Sequence, residues 1–292
     1  MKVAFLGLGN MGTGIASNIL KGGFYLAVWN RTQAKMQPLT DNGARGAADP
    51  KEAVHGADLV ITCLMDDQSI LYNLEGEEGF LSGMKEGATH LCVTTISPPC
   101  ADKLAAIHRD HGSHFVAGPV LGRPDAAAAG ELRTFLAGDA QGIETATPVC
   151  EAYTDAVIPI GDKPSNAASL KLCINYSLIS IIEMMGEVYT CADKAGLDLD
   201  LLQMLYQSMF EHPVLKMYAG KIRGREFDDG GFRMTGGLKD VRLMLQAAQE
   251  FGTQFEIGNI IEAKMLTALE QGMQDMDWSA IYEISRQQAG LK

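Results

Sequence analysis

The chain has 292 residues, 47% of them hydrophobic and 21% charged, with a formal net charge of −12. That length can bury a sizeable core and form about two domains, and the composition is that of an ordinary soluble globular enzyme. The acidic balance repels nucleic-acid phosphates and anionic membrane surfaces, so an anionic ligand needs a local positive site.

The first strand is expected at Lys2 to Leu6, and no signal peptide is expected ahead of it. It runs into Gly7-Leu8-Gly9-Asn10-Met11-Gly12, and a helical stretch follows from Thr13 to Leu20. A glycine turn between strand and helix leaves backbone N–H groups at a helix N-terminus, where a pyrophosphate can sit. Gly7 permits the turn, Gly9 lets phosphates approach, and Gly12 lets helix and strand pack closely. A second strand, Phe24 to Trp29, ends in Asn30-Arg31-Thr32. An NAD site usually places an acid there for the ribose hydroxyls. A guanidinium between two short polar residues instead predicts NADPH, with Arg31 and Thr32 on the 2′-phosphate and Asn30 beside it.

Buried strands are expected at 57–64, 90–95, 115–120, 132–138 and 156–160, with helices including 99–110 and 142–154. This alternation predicts an α/β fold with a mostly parallel, doubly wound Rossmann sheet. The texture changes at Gly161-Asp162-Lys163-Pro164, which divides a cofactor domain (1–162) from an all-helical domain (163–292). Ser165 is expected to cap a helix running toward Ala195, roughly 45 Å long, that links two domains or pairs with another subunit. Further helices are expected at 199–210, 213–223, 236–251, 257–271 and 278–288. The most apolar stretch, Leu172 to Met185, is interrupted by Asn175, Ser177 and Glu183, so no run reads as a membrane span.

Lys171 and Asn175 stand four apart in the long helix and therefore share a face. A desolvated lysine there can pass a proton to a carbonyl oxygen, with Asn175 holding that oxygen or the ammonium. A snorkelling lysine at a helix edge fits the spacing equally well. The spacing of His108, His111 and His114 invites a metal, but no carboxylate–cysteine set accompanies it, and no metal is expected. His212 suits a cap or the border of a cleft. Glu75, Glu77 and Glu78 read as a solvated loop. The six cysteines, at 63, 92, 100, 150, 173 and 191, show no paired spacing and read as free thiols in a reducing cytoplasm, several of them buried.

These motifs together make the chain similar to the β-hydroxyacid dehydrogenase family, which includes 3-hydroxyisobutyrate dehydrogenases and glyoxylate/succinic semialdehyde reductases and is related to imine reductases. The resemblance covers nearly the whole chain. It implies that the glycine motif and Leu64 and Met65 bind the cofactor. Thr94-Thr95-Ile96-Ser97-Pro98 resembles the family's Ser-Thr-x-x-Pro segment, which makes Thr95 a cofactor or substrate contact. Lys171-Leu172-Cys173-Ile174-Asn175 matches the catalytic Lys-x-x-x-Asn, and Leu238-Lys239-Asp240 the pair whose lysine reaches the cofactor. A homodimer and a small carbonyl or hydroxyacid substrate are implied as well.

The substrate loop departs from the family pattern. Gly118-Pro119-Val120-Leu121-Gly122-Arg123 stands where Asp-x-Pro-Val-Ser-Gly-Gly is usual. Leu121, Gly122 and Arg123 are candidate substrate contacts; Arg123 either grips a carboxylate or faces outward. Imine reductases generally carry Asp or Tyr where Lys171 stands. Yet Leu121 with Met209, Phe210, Met217, Tyr218 and Phe232 could make an apolar pocket, so reduction of apolar cyclic imines is the rival activity. A non-catalytic dinucleotide-binding protein is the third reading.

Overall fold

The computed structural model describes residues 1–194, 196–209, 212–250, 252 and 254–291. Ala195, Phe210 and the Cys191 side chain fall outside the described residues. The chain divides into two compact units, Met1–Lys171 and Leu172–Lys292.

The first unit is built on a nine-stranded sheet. Its strands are β1 (Lys2–Leu6), β2 (Tyr25–Trp29), β3 (Arg45–Gly46), β4 (Leu59–Thr62), β5 (Thr89–Cys92), β6 (His114–Ala117), β7 (Val120–Leu121), β8 (Leu132–Gly138) and β9 (Thr154–Gly161). They lie in the order β3-β2-β1-β4-β5-β6-β8-β7, with β9 on the other edge of β8. From β3 to β6 all pairing is parallel, the order of a classical dinucleotide-binding half-sheet and its extension. Alternate residues of β1 serve opposite faces: Val3 and Phe5 join one core cluster, Ala4 and Leu6 the other. Helices therefore cover both sides, and the central strands β4 and β5 are buried along their whole length.

The sheet is mostly parallel, as the sequence suggests; β8 runs antiparallel to β6 and β7. The expected strand at 115–120 is interrupted at Gly118-Pro119, but β6 and β7 lie along β8 in one antiparallel register. Thr134 Oγ1 donates to the carbonyls of both residues, at 3.1 and 3.2 Å. The alanines at 126–129 belong to a short helix, Pro124–Ala129, closed by left-handed Gly130. The helix expected to reach Thr154 stops at Cys150, and Thr154 opens β9 beside Leu132.

The second unit is helical: Leu199–Met209, Pro213–Gly224, Met234–Glu250, Glu256–Glu270 and Ile281–Gln288 follow the end of the 31-residue helix Pro164–Lys194. That helix starts with Pro164, whose missing N–H costs nothing at a first turn; Ser165 lies inside it rather than capping it. By length and composition the helix could cross a membrane, contrary to the sequence reading. Its Leu172, Ile179, Ile182, Met185 and Tyr189 are instead packed into the helical core. Its Glu183 is buried against the Lys264 ammonium, which also donates to Ser285 Oγ at 2.9 Å. Removing either partner of such a pair is far costlier than its formation is favourable.

Candidate active site

The glycine turn follows β1 at the point where strand order reverses, between β1 and β4, which is where open α/β sheets bind ligands. Gly7 has φ +106°, and a Cβ there would sit 2.3 Å from the Cys63 carbonyl oxygen. A Cβ on Gly12 would come 2.0 Å from the Gly7 carbonyl oxygen. Both positions demand glycine. Gly9 differs: a Cβ there meets no atom within 4 Å, so it faces open space. Gly9 caps the helix Asn10–Lys21 without a side-chain bond, and no acid occupies the first turn. An uncapped helix N-terminus beside an open glycine suits a pyrophosphate. Leu8 is buried, Met11 packs against the core and Asn10 is exposed.

Asn30 is part of the turn's framework. Its Oδ1 accepts from the Leu8 N–H at 2.9 Å, and its Nδ2 donates to the Thr32 carbonyl at 2.9 Å. The amide thereby ties the tip of β2 to the glycine turn. Arg31 and Thr32 lie exposed at that tip.

Beyond β4, Leu64 is half-buried and Met65 is exposed. The Leu64 N–H donates to Thr94 Oγ1 at 2.8 Å, which anchors the segment after β5 to the one after β4. Thr95 is half-buried. The Asp67 carboxylate accepts both the N–H and the hydroxyl of Ser97, a contact that the sequence reading missed. In the substrate loop, Gly122 has φ +136° and a Cβ there would strike Leu132 at 2.4 Å. Leu121 is half-buried, and half-buried Arg123 caps the helix Pro124–Ala129. That helix is clamped by Asn18, whose Nδ2 donates to the Ala127 and Ala128 carbonyls.

Lys171 is 9% exposed and Asn175 6% exposed, and the continuous helix sets both on one face. Asn175 Nδ2 donates to Asp240 Oδ2 at 2.7 Å. The Lys239 ammonium lies 2.6 Å from Asp240 Oδ1 as an ion pair. Asp240, 2% exposed, thus orients the Asn175 amide while Lys239 neutralises it. Its Lys-Asp neighbourhood was visible in the sequence, but its grip on Asn175 spans 65 positions, and no local pattern shows that.

The remaining candidates have structural partners. His108 is buried and hydrogen-bonded to His90 and Ser113, His111 to Ser113, and His114 pairs with Asp139. His212 caps the helix Pro213–Gly224. Of the expected apolar pocket, Tyr218 is core, bonded to Trp278 Nε1, Phe232 packs edge-on against that indole, and Met209 is exposed. Glu75, Glu77 and Glu78 are exposed. Cys63, Cys92, Cys100, Cys150 and Cys173 are free thiols; burial pushes Cys63 up to about 12 and Cys92 up to about 11.

The family models agree with this construction. Residues 2–161 match the NAD-binding domain of 6-phosphogluconate dehydrogenase, and residues 165–285 the NAD-binding domain of NADP-dependent 3-hydroxyisobutyrate dehydrogenase. The chain belongs to the β-hydroxyacid dehydrogenase family. It is 37% identical to an oxidoreductase of Bacillus subtilis over 281 residues, covering 96% of this chain and 98% of that one. With the NAD-dependent L-serine dehydrogenase of Pseudomonas aeruginosa it shares 30% identity over 292 aligned residues, covering 97% of each chain. Its fold superposes on 3-hydroxyisobutyrate dehydrogenase from Salmonella typhimurium with a TM-score of 0.87 at 21% identity, covering 97% and 99% of the two chains. Members of this family are NAD(P)-dependent oxidoreductases, and so is this chain.

Proposed function

We propose that this enzyme uses NADPH to reduce a small aldehyde or keto acid, with Lys171 as proton donor. Residues 1–162 form the cofactor domain in this reading, and 163–292 the substrate and dimerisation domain of a cytoplasmic homodimer. The observation that carries it is the buried Lys171 four residues from an amide whose orientation Asp240 sets. The glycine turn holds the pyrophosphate, and Leu64, Met65 and Lys239 contact the cofactor. Thr95 and the loop Leu121-Gly122-Arg123 hold the substrate. Bound there, the nicotinamide supplies a hydride to the carbonyl carbon. The Lys171 ammonium gives its proton to the carbonyl oxygen and recovers one from water. Asn175, with one amide proton committed to Asp240, presents its oxygen as an acceptor for that ammonium. Oxidation of a β-hydroxyacid runs through the same groups in reverse.

Half-buried Leu121 in place of the usual serine favours the rival reading, imine reduction. Against it, an ammonium repels an iminium in a dry pocket. Loss of NADPH absorbance in the presence of glyoxylate or succinic semialdehyde, without turnover of a cyclic imine, is the expected result. Turnover of the imine alone transfers the enzyme to the rival class. Tight NADPH binding with turnover of neither marks a binding protein.

Arg31 carries the cofactor preference, since the tip of β2 offers no acid to a ribose and one guanidinium to a phosphate. A charge-assisted bond contributes about 1.5–3 kcal/mol. Arg31→Ala should therefore raise the Kd for NADPH roughly 10- to 100-fold. The Kd for NADH should stay within about twofold, both measured by titration calorimetry. Equal losses for the two cofactors contradict the assignment.

A further inference from the structure

Two consecutive acids follow β4, and they do different work. Asp66 caps its own helix, Asp67–Leu74, in a reciprocal box with Ser69. Asp67 is therefore not needed as a cap, and its carboxylate reaches across to the loop after β5. Oδ1 accepts from the Ser97 N–H at 3.0 Å, and Oδ2 from the Ser97 hydroxyl at 2.5 Å. Ser97, 5% exposed, in turn caps the helix Pro98–His111 through Cys100 N–H. One carboxylate thus sits at the first residue of one helix and on the cap of another, where both dipoles favour negative charge. Holding both the N–H and the O–H of one residue fixes its backbone and its rotamer together.

A second pin lies three residues earlier. Thr94 Oγ1 accepts from the Leu64 N–H at 2.8 Å and donates to the Thr62 carbonyl at 3.3 Å. Between the pins stand only Thr95 and Ile96. Ile96 is 2% exposed; Thr95 is the residue left at the surface of the loop.

We propose that Asp67 is a positioning residue that holds Thr95 in register for the reaction by clamping Ser97. This rests on the reading of Thr95 as a contact of cofactor or substrate. A displacement of about 1 Å in a reacting geometry costs on the order of 10²-fold in rate. Asp67→Ala should accordingly lower kcat roughly 10- to 100-fold, while KM for NADPH moves less than about threefold. Asp67→Asn keeps an acceptor for the Ser97 N–H and should recover most of the lost kcat. In a Thr95→Ala background, Asp67→Ala should add little further loss, because both changes act through one residue.

Hydrogen exchange of the amides at 94–97 gives a readout independent of turnover: it should quicken in Asp67→Ala and return toward wild type in Asp67→Asn. Unchanged exchange there overturns the clamp. Quickened exchange with kcat unchanged overturns its catalytic role. If Thr95→Ala alone also leaves kcat unchanged, that failure belongs to the reading of Thr95 and not to the clamp.

Discussion

Replacing Lys171 with methionine should lower kcat for carbonyl reduction by roughly 10²- to 10⁴-fold, the range that a positioned general acid contributes. In barrier terms this is roughly 3–5 kcal/mol. Methionine keeps most of the apolar stem that this 9%-exposed residue packs with, so the fold should survive, with a melting temperature within a few degrees of wild type. NADPH binding should change little, because the ammonium is assigned to the substrate oxygen and not to the cofactor. A small primary amine added to the assay should restore part of the lost rate to Lys171→Met, by bringing a proton donor back to the vacated position. If the folded variant turns over glyoxylate or succinic semialdehyde at the wild-type rate, Lys171 is not the acid, and Asn175 loses its assigned partner as well.

The arrangement around that lysine makes chemical sense of a buried charge. An ammonium held away from water needs an acceptor nearby. A primary amide can serve only if its oxygen is aimed and its nitrogen occupied elsewhere. Asp240 occupies that nitrogen, and Lys239 offsets the charge that Asp240 brings into the interior. Within the helical unit Asp240 and Lys239 thus counter each other's charge while Asp240 holds the Asn175 amide, the condition under which buried polar groups specify a geometry rather than destabilise it.

What the amino-acid pattern reveals and what it hides follow from the range of each interaction. The strands are legible because both faces of the sheet are covered, so runs such as Leu59-Val60-Ile61 are apolar without interruption. The Lys171–Asn175 spacing is legible because it lies within one helical turn. The helix Asp67–Leu74 was not recognised, although Asp66 and Ser69 supply a capping pattern at its start; at eight residues its apolar face, Ile70 and Leu74, spans one turn and shows no repeat. Asn30 is expected beside the 2′-phosphate; that its amide also braces the glycine turn 22 positions away leaves no local trace. The clamps Asp67–Ser97 and Asn175–Asp240 join distant segments, and pairings of that kind leave no periodic trace. His108 was legible in part: with Ala101 and Leu104 it continues the buried face of the helix Pro98–His111, which marks it as interior rather than as a surface ligand.

That buried histidine should make the protein acid-sensitive at a pH where its carboxylates are still ionised. A hydrogen-bonded chain runs through the interior of the first unit: Thr62 Oγ1 to His90 Nε2, His90 Nδ1 to His108 Nε2, and His108 Nδ1 to Ser113 Oγ, each 2.8 Å. Two neutral imidazoles that share one such bond set a donor against an acceptor; a second proton on the accepting ring would set two N–H groups against each other. Burial, reinforced by His108, holds His90 well below the usual 6.5, and burial pushes His108 down to about 3. The unfolded chain therefore binds more protons than the folded one at every pH between 6.5 and those depressed values. Stability from the two rings is complete above pH 6.5 and is lost as pH falls below it. Asp58 and Asp139, whose pKa values are lowered from 3.8 by their partners, contribute stability that is lost only at still lower pH, so the two effects separate. Urea unfolding between pH 7 and 4.5 should show a falling midpoint at constant m for the wild type. His90→Gln/His108→Gln should begin less stable at pH 7 and follow a much flatter line, since glutamine keeps hydrogen-bonding groups but cannot take up the proton. A wild-type midpoint independent of pH across that window would mean that the two rings are hydrated in the folded protein and not sealed inside it.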